Sequence, residues 1–185
     1  KVNIFNKNNE GPSIARNYGI SKAKGKFICF LDDDDEFLEN HLEILSFTIK
    51  ENKYTLGLYK TRTFLKSGED IKKQEFKELA GNIKPVERVY SNFFAPCNVC
   101  ISKDIFNKYS FNEKIPISED YDLWTRISLE FPVFEINEYS TIYNFHGGNA
   151  SLGESEIVHL KHLKAFKQIF SIPGLKKELP LKFRA

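Results

Sequence analysis

A run of apolar residues that ends in four consecutive aspartates is the feature that most constrains this chain. Phe27–Leu31 show no alternation and lead directly into Asp32–Asp35. Such a run fits a strand buried on both faces, the kind found in parallel sheets. Adjacent carboxylates ~4 Å apart repel by roughly 1 kcal/mol in water and roughly 4 kcal/mol at an effective dielectric of about 20. The aspartates must therefore lie open to solvent or meet a compensating charge.

The composition is that of an ordinary globular protein. The 185 residues suit one domain, or one domain with a tail, and 41% of them are hydrophobic and 28% charged. A net charge of +2 is too small to indicate nucleic-acid binding. No apolar run approaches the roughly 20 residues that span a bilayer. Because the chain contains no methionine, we expect a further segment upstream.

The three cysteines favour a reducing compartment, because their number is odd and no disulfide pattern is present. Cys97 and Cys100 have the CxxC spacing, but no second pair completes a zinc site. We therefore expect neither zinc nor redox chemistry here, and a cytoplasmic location.

Strands alternate with helices along the chain, which predicts an α/β fold with a mostly parallel sheet. The pattern predicts strands in 2–6, 26–32, 54–68, 98–102, 133–137 and 139–146. It predicts helices in 12–25, 36–53, 103–109, 118–131 and 156–170. Residues 68–92 are expected to be irregular with weak helix, and Trp124 is expected in the core.

Three interpretations compete for the acidic run. One aspartate, most readily Asp35, can cap the following helix, although capping does not explain four. Asp32, Asp34, Glu36 and Glu43 have the spacing of an EF-hand, but Phe37 stands where the calcium loop needs glycine. The third is a divalent-metal site for a phosphorylated substrate at the carboxyl end of the strand, which uses most of the run.

Three segments of the chain, in this order, carry a resemblance to a known family. The first, "NEGPSIARNYGISKAKGKFICFLDDDDEFL", is similar to the central signature of family 2 glycosyltransferases with the GT-A fold. The matching positions before the strand are Asn9, Gly11, Ser13, Ala15, Arg16, Asn17, Gly19, Ala23 and Gly25. "ISEDYDLWTRIS" and "YNFHGGNAS" resemble a second and a third signature, and the likeness covers about residues 3–151.

The resemblance implies a GT-A domain in which a mixed, mostly parallel sheet is flanked by helices. It implies that the first strands of the fold, with a nucleotide-binding aspartate, lie upstream of this chain. Residues 1–155 would then form a partial catalytic domain, and 156–185 an amphipathic helix and tail.

The resemblance also implies a donor site for a nucleotide-diphosphate sugar, most simply a UDP-sugar. The implied nucleotide-sugar-binding residues are Asn9, Gly11, Arg16, Asp32 and Asp33. Asp34 and His146 are implied as ligands of Mn²⁺ or Mg²⁺. A solvated Arg16, or an Arg16 paired with the acidic run, is the alternative for that residue.

The acidic pair Glu119 and Asp120 is the implied catalytic pair, with Asp120 as general base. The base would take the proton from an acceptor hydroxyl in a single displacement with inversion. The acceptor would be a glycan or a lipid-linked saccharide in bacterial polysaccharide biosynthesis. The rival hypothesis is a truncated or degenerate domain that binds a partner without transferring sugar.

The helix predicted in 156–170 has two interpretations. Its lysines Lys161, Lys164 and Lys167 can be solvated while the apolar side packs on the domain, which we favour. Alternatively, the helix lies on an anionic membrane, which would place the protein peripherally at the inner face.

Overall fold

The computed structural model describes residues 2–79, 81–147, 149 and 156–180. Its strands are β1 (Phe27–Cys29), β2 (Glu36–Phe37), β3 (Leu58–Ser67), β4 (Asp70–Lys73), β5 (Val99–Ser102) and β6 (Val133–Phe145). Its helices are α1 (Pro12–Lys22), α2 (His41–Glu51), α3 (Pro85–Ser91), α4 (Glu119–Ser128), α5 (Glu156–Ile169) and α6 (Leu175–Glu178).

The strands form one mixed sheet in the order β1-β5-β3-β6-β2, with β4 paired to β3. A mixed sheet flanked by helices was predicted, but the described pairings are not mostly parallel. Only β3 and β6 run parallel, and the other pairings are antiparallel. Within the apolar run Ile28 and Phe30 are buried, but Phe27 and Cys29 are only partly buried and Leu31 is 49% exposed, so the predicted burial on both faces is only partial. Burial also does not fix the direction of a neighbouring strand.

Two of the strand predictions are wrong: one predicted strand is absent from the described residues, and two others are a single strand. Residues 2–10 form no strand in the structure, and Val2 and Ile4 are 90% and 84% exposed. Apolar β-branched residues favour a strand only where a neighbouring strand supplies hydrogen bonds, and none lies beside this segment within the described chain. The two strands predicted in 133–146 are one continuous strand. Its pairing with β3 shifts register opposite Lys60 and Arg62, where the apolar pattern of the sequence is interrupted.

Helices cover both faces of the sheet. Neighbouring residues of β3 point to opposite faces, so each face carries apolar side chains that pack against a helix. Leu58 belongs to the larger core cluster with Trp124 of α4, whereas Tyr59 packs in a second cluster with Leu45 of α2. Trp124 is fully buried, as predicted, and its ring lies 5.8 Å from that of Phe111.

Helix α5 packs on the domain through one side. Ala165 contacts the cluster of Ile115 and Ile117, and Ile169 packs with Leu175 of α6. Among the described residues, none of the helices combines the length and apolar character that a membrane span requires.

Candidate active site at the end of the acidic run

A cleft of about 760 Å³ opens where β1 ends and α4 begins. The predicted site residues in its lining are Arg16, Asp32, Asp33, Asp34, Glu119 and Asp120. The polar residues of the central and second motifs, far apart in the chain, therefore share one cavity. His146 joins them through a 2.8 Å contact between its Nε2 and Asp34 Oδ2.

Asp32, Asp34 and Asp35 form an acidic cluster in which one oxygen of each lies within 4.8 Å of the others. Oxygen-rich sites of this kind suit Mg²⁺ or Mn²⁺. Asp35 Oδ2 is buried and accepts no hydrogen bond from a nitrogen or oxygen of the described residues, although the Cys97 thiol lies beside this carboxyl group. A buried carboxylate oxygen of this kind requires a donor or a cation, so the residues present fit a divalent metal.

Asp35 is not the helix cap that was expected. Helix α2 begins at His41, after the short strand β2, and its N-terminal flanking residue is Asn40. Asp35 is buried, and its Oδ1 accepts a 3.0 Å hydrogen bond from the backbone N–H of Asn144 in β6. Burial raises the pKa of Asp35 to about 6, although the Asn144 hydrogen bond opposes that rise.

The residues with EF-hand spacing do not all come together in the structure. Glu36 begins β2 and forms a 3.2 Å ion pair with Lys66, while Glu43 is an exposed residue of α2. Neither belongs to the acidic cluster. Cys97 and Cys100 are buried free thiols outside this cluster, although the Cys97 thiol lies beside the Asp35 carboxyl group.

Asp34 is held by residues from the far end of β6. Its Oδ2 contacts His146 Nε2 and accepts a 3.2 Å hydrogen bond from Asn149 Nδ2. Asn149 Oδ1 in turn accepts a 2.6 Å bond from the His146 backbone N–H. The third motif therefore reaches the acidic cluster, although Gly148, Ala150 and Ser151 lie outside the described residues.

Arg16 bridges the two acidic groups of the cleft. Its Nη2 donates to Asp32 Oδ1 at 2.8 Å, and its Nη1 donates to Glu119 Oε1 at 2.6 Å. Its side chain is only 12% exposed. Burial opposes the charged form, but the two carboxylates outweigh it and raise the pKa of Arg16. Both arms of the guanidinium are thus used within the protein.

Glu119 and Asp120 form the first turn of α4, where the helix dipole favours negative charge. Glu119 is buried, whereas Asp120 is half-buried and faces the cleft. Burial and the neighbouring Glu119 carboxylate raise the pKa of Asp120 to about 7. A carboxylate with that pKa can accept a proton near neutral pH.

Ser118, just before this pair, has a left-handed backbone with a φ of 61°. Its hydroxyl does not cap α4 but lies 3.2 Å from His162 Nδ1 in α5. His162 and Phe166 also line the cleft, so α5 supplies part of its wall.

Three predicted nucleotide-binding residues take different places. Asp33 is exposed in the cleft lining. Asn9 and Gly11 lie in the loop before α1, outside that lining, and Asn9 Oδ1 accepts a 3.2 Å hydrogen bond from the Gly11 backbone N–H. Gly11 has a φ of 91°, which L-residues rarely adopt, so this glycine sets the entry into α1.

Several residues that complete the cleft were not singled out from the sequence. Asn144 donates to the Asp34 carbonyl as well as to Asp35, and Phe93 and Tyr143 form an edge-to-face pair in the wall with ring centroids 5.3 Å apart. An asparagine or an aromatic residue within a strand is common, so only the fold reveals these roles.

The glycosyl transferase family 2 model matches residues 2–110. The chain belongs to glycosyl transferase family 2. An uncharacterised glycosyltransferase of Rickettsia bellii is 33% identical over 128 residues, which are 69% of this chain and 18% of that protein. The O-antigen biosynthesis glycosyltransferase WbnJ of Escherichia coli is 28% identical over 155 residues, 80% of this chain and 58% of WbnJ.

Solved structures show the same fold. The structure of Staphylococcus aureus TarS 1–349 with UDP-GlcNAc superposes with a TM-score of 0.64 at 17% identity, over 98% of this chain and 60% of that one. The GT-A fold predicted from the sequence is therefore confirmed. The chain spans about a fifth to a third of the first Rickettsia relatives that it matches.

Proposed function

We propose that this domain belongs to an inverting, metal-assisted glycosyltransferase that moves a sugar from a nucleotide-diphosphate donor, a UDP-sugar, to a glycan or lipid-linked acceptor. One observation carries the proposal: Asp32 and Asp34 of the acidic cluster line the same cleft as the pair Glu119–Asp120. TarS has been crystallised with UDP and with UDP-GlcNAc, which supports the donor class. Relatives in O-antigen and minor teichoic acid biosynthesis support the glycan acceptor.

The acidic cluster is the proposed donor end. Asp34 and His146 would hold Mn²⁺ or Mg²⁺, with Asp32 and Asp35 within reach of the same ion. The bound cation would supply charge stabilisation to the leaving diphosphate. Asp32 and Asp33 would contact the nucleotide sugar, and the loop carrying Asn9 and Gly11 would border the nucleotide.

Asp120 is the proposed general base. It takes the proton from the acceptor hydroxyl as that oxygen attacks the anomeric carbon and the bond to the diphosphate breaks. The attack comes from the face opposite the leaving group, which inverts the anomeric configuration without a covalent intermediate. Glu119 supports this geometry through its bond to Arg16.

Arg16 is proposed to serve the donor through Asp32 rather than by facing the nucleotide, because both of its arms are bonded to carboxylates. Its planar guanidinium fork holds the end of β1 and the start of α4 at a fixed spacing. It is therefore a positioning residue that sets the separation of donor and base.

The proposal is tested by a donor screen on the intact gene product, with UDP-sugars and with Mn²⁺, Mg²⁺ or a chelator. We expect UDP release that requires the metal, measured by chromatography, and UDP binding that the chelator abolishes. Metal-dependent binding without any turnover would favour the rival non-catalytic domain. Absence of metal-dependent UDP binding would contradict both the donor class and the metal.

We expect Arg16→Gln to lower turnover about 100-fold, because Glu119 loses its buried partner and Asp120 moves relative to the donor. Affinity for UDP with Mn²⁺ should change by less than about fivefold, since the Asp32 pair is partly solvated. Arg16→Lys should recover only part of the turnover, because an ammonium cannot bond both carboxylates in the same way.

The matched control is Arg88→Gln. Arg88 also pairs with a buried carboxylate, Glu135, at 2.7 Å, but it does not line the cleft. This change should lower thermal stability and leave turnover of the folded enzyme intact. Equal losses of turnover in both variants, or loss of UDP binding in Arg16→Gln, would refute the positioning role.

The pKa of Asp120 predicts the pH dependence of the reaction. Because the base must be deprotonated, kcat/KM should rise with pH through about 7 and then level off. Initial rates measured between about pH 5 and pH 9 test this. A profile that is flat or falls across that range would argue against Asp120 as the base.

A further inference from the structure

Helix α5 leaves an apolar surface exposed. Ile157, Leu160 and Leu163 are 65%, 48% and 67% exposed, whereas Ala165 and Ile169 are buried against the domain. With 3.6 residues per turn, the three exposed residues fall on the half of the helix that faces away from the buried pair. The domain's own core therefore does not cover them.

Lysines are interleaved with these apolar residues. Lys164 and Lys167 are exposed on the same half of the helix, whereas Lys161 is exposed but lies one turn before Ala165, on the other half. Glu156 is the single acidic residue of α5. We call Lys164 and Lys167, together with Ile157, Leu160 and Leu163, the outer face of α5. Lys176 and Lys177 of α6 are also exposed and extend the positive charge beyond it.

We propose that the outer face of α5 docks peripherally on an anionic lipid bilayer. Apolar side chains would enter the headgroup boundary while the lysine stems extend along it and their ammonium groups meet lipid phosphates. Each lysine near an anionic leaflet adds electrostatic attraction, which falls off within a Debye length. The combination of the two is what a shallow interfacial helix requires.

Helix α2 shows that apolar exposure alone does not produce this surface. Leu42 and Phe47 of α2 are 65% and 66% exposed, much like Ile157 and Leu163. The charges beside them differ, because α2 contains Glu43, Glu51 and a single lysine. An anionic bilayer would therefore attract α5 and not α2.

The docked orientation would matter for the acceptor, and this step rests on the proposed function. Phe166 lies one turn from Leu163, on the border of the outer face, and lines the cleft with His162. Docking through α5 would hold that wall of the cleft beside the headgroups. A lipid-linked saccharide anchored in the same bilayer could then reach Asp120 without leaving the membrane.

The test is flotation of the intact gene product with phosphatidylcholine vesicles that contain or lack phosphatidylglycerol. We expect binding that requires phosphatidylglycerol and weakens with salt. Leu160→Ser/Leu163→Ser and, separately, Lys164→Gln/Lys167→Gln should each lower vesicle binding at least about tenfold. The matched control Leu42→Ser/Phe47→Ser, with the same apolar loss on α2, should bind as the wild type does.

UDP binding with Mn²⁺ is measured in solution on the same preparations, so that failure of the proposed function is distinguished from failure of docking. The docking proposal is overturned if the wild type ignores anionic vesicles. It is also overturned if both α5 variants bind like the wild type, or if sedimentation shows a dimer that the α5 variants dissociate.

Discussion

Replacing Asp120 with asparagine is expected to lower turnover about 1,000-fold while leaving metal-dependent UDP binding unchanged. A positioned general base contributes between about 10² and 10⁴ to the rate, and asparagine keeps the shape without accepting a proton. Turnover is measured as UDP release with donor and acceptor, and binding by titration calorimetry with Mn²⁺.

Thermal stability provides the control for Asp120→Asn. The folded pKa of Asp120, about 7, lies above the ordinary value of 3.8, so its ionisation destabilises the fold as the pH rises from 3.8 to about 7 and adds no further loss above that. The asparagine variant should therefore be no less stable than the wild type at alkaline pH, and the gap in its favour should widen from acid to neutral pH. Normal turnover in this variant would make the assignment of the base wrong.

Replacing Asp34 with alanine is expected to abolish metal-dependent UDP binding. Asp34 has its Oδ2 between His146 and Asn149 and shares the acidic cluster with Asp32 and Asp35, so its loss removes the proposed metal ligand and the contact to His146. In the titration with Mn²⁺ and UDP the binding heat should disappear, as it should for the wild type with a chelator.

Asp70→Ala is the matched control, because Asp70 is an exposed aspartate of β4 that does not line the cleft. It should bind UDP and Mn²⁺ as the wild type does. His146→Ala should weaken binding less than Asp34→Ala, since the carboxylates of the cluster remain. Unaltered metal-dependent binding in Asp34→Ala would move the cation site elsewhere.

The three motifs and their resemblance to a known family predicted the fold family and the acidic residues of the cleft. A buried strand must deliver Asp32 and Asp34 at its end, and a helix that starts with Glu119 and Asp120 presents both at its first turn. The first of these predictions uses local periodicity and a general rule on where ligands bind in α/β sheets, whereas the second, which makes Glu119 and Asp120 part of the same site, came from the resemblance to family 2 glycosyltransferases. The structure brings these residues into one cavity, and their chemical roles stay predictions.

The errors have a common physical cause, which is that sequence patterns report local preference and not partners. Residues 2–6 have strand character but no neighbouring strand within the described chain. Asp35 has cap character, but the Asn144 N–H holds it and α2 starts later. The role of Arg16 also needed the fold, because Asp32 and Glu119 are its partners only once β1 and α4 meet.

The long ladder between β3 and β6 affects when the domain can fold during its synthesis on the ribosome. Leu58 pairs with Val133 and Ser67 with Phe145, so this ladder cannot close until most of the described chain has emerged. Asn144 and His146 follow at its end. The carboxylates of Asp34 and Asp35 therefore lack these partners until β6 and the residues after it have been made, and a nascent chain stopped before β6 would have every aspartate of the cleft but not the contacts that hold these two.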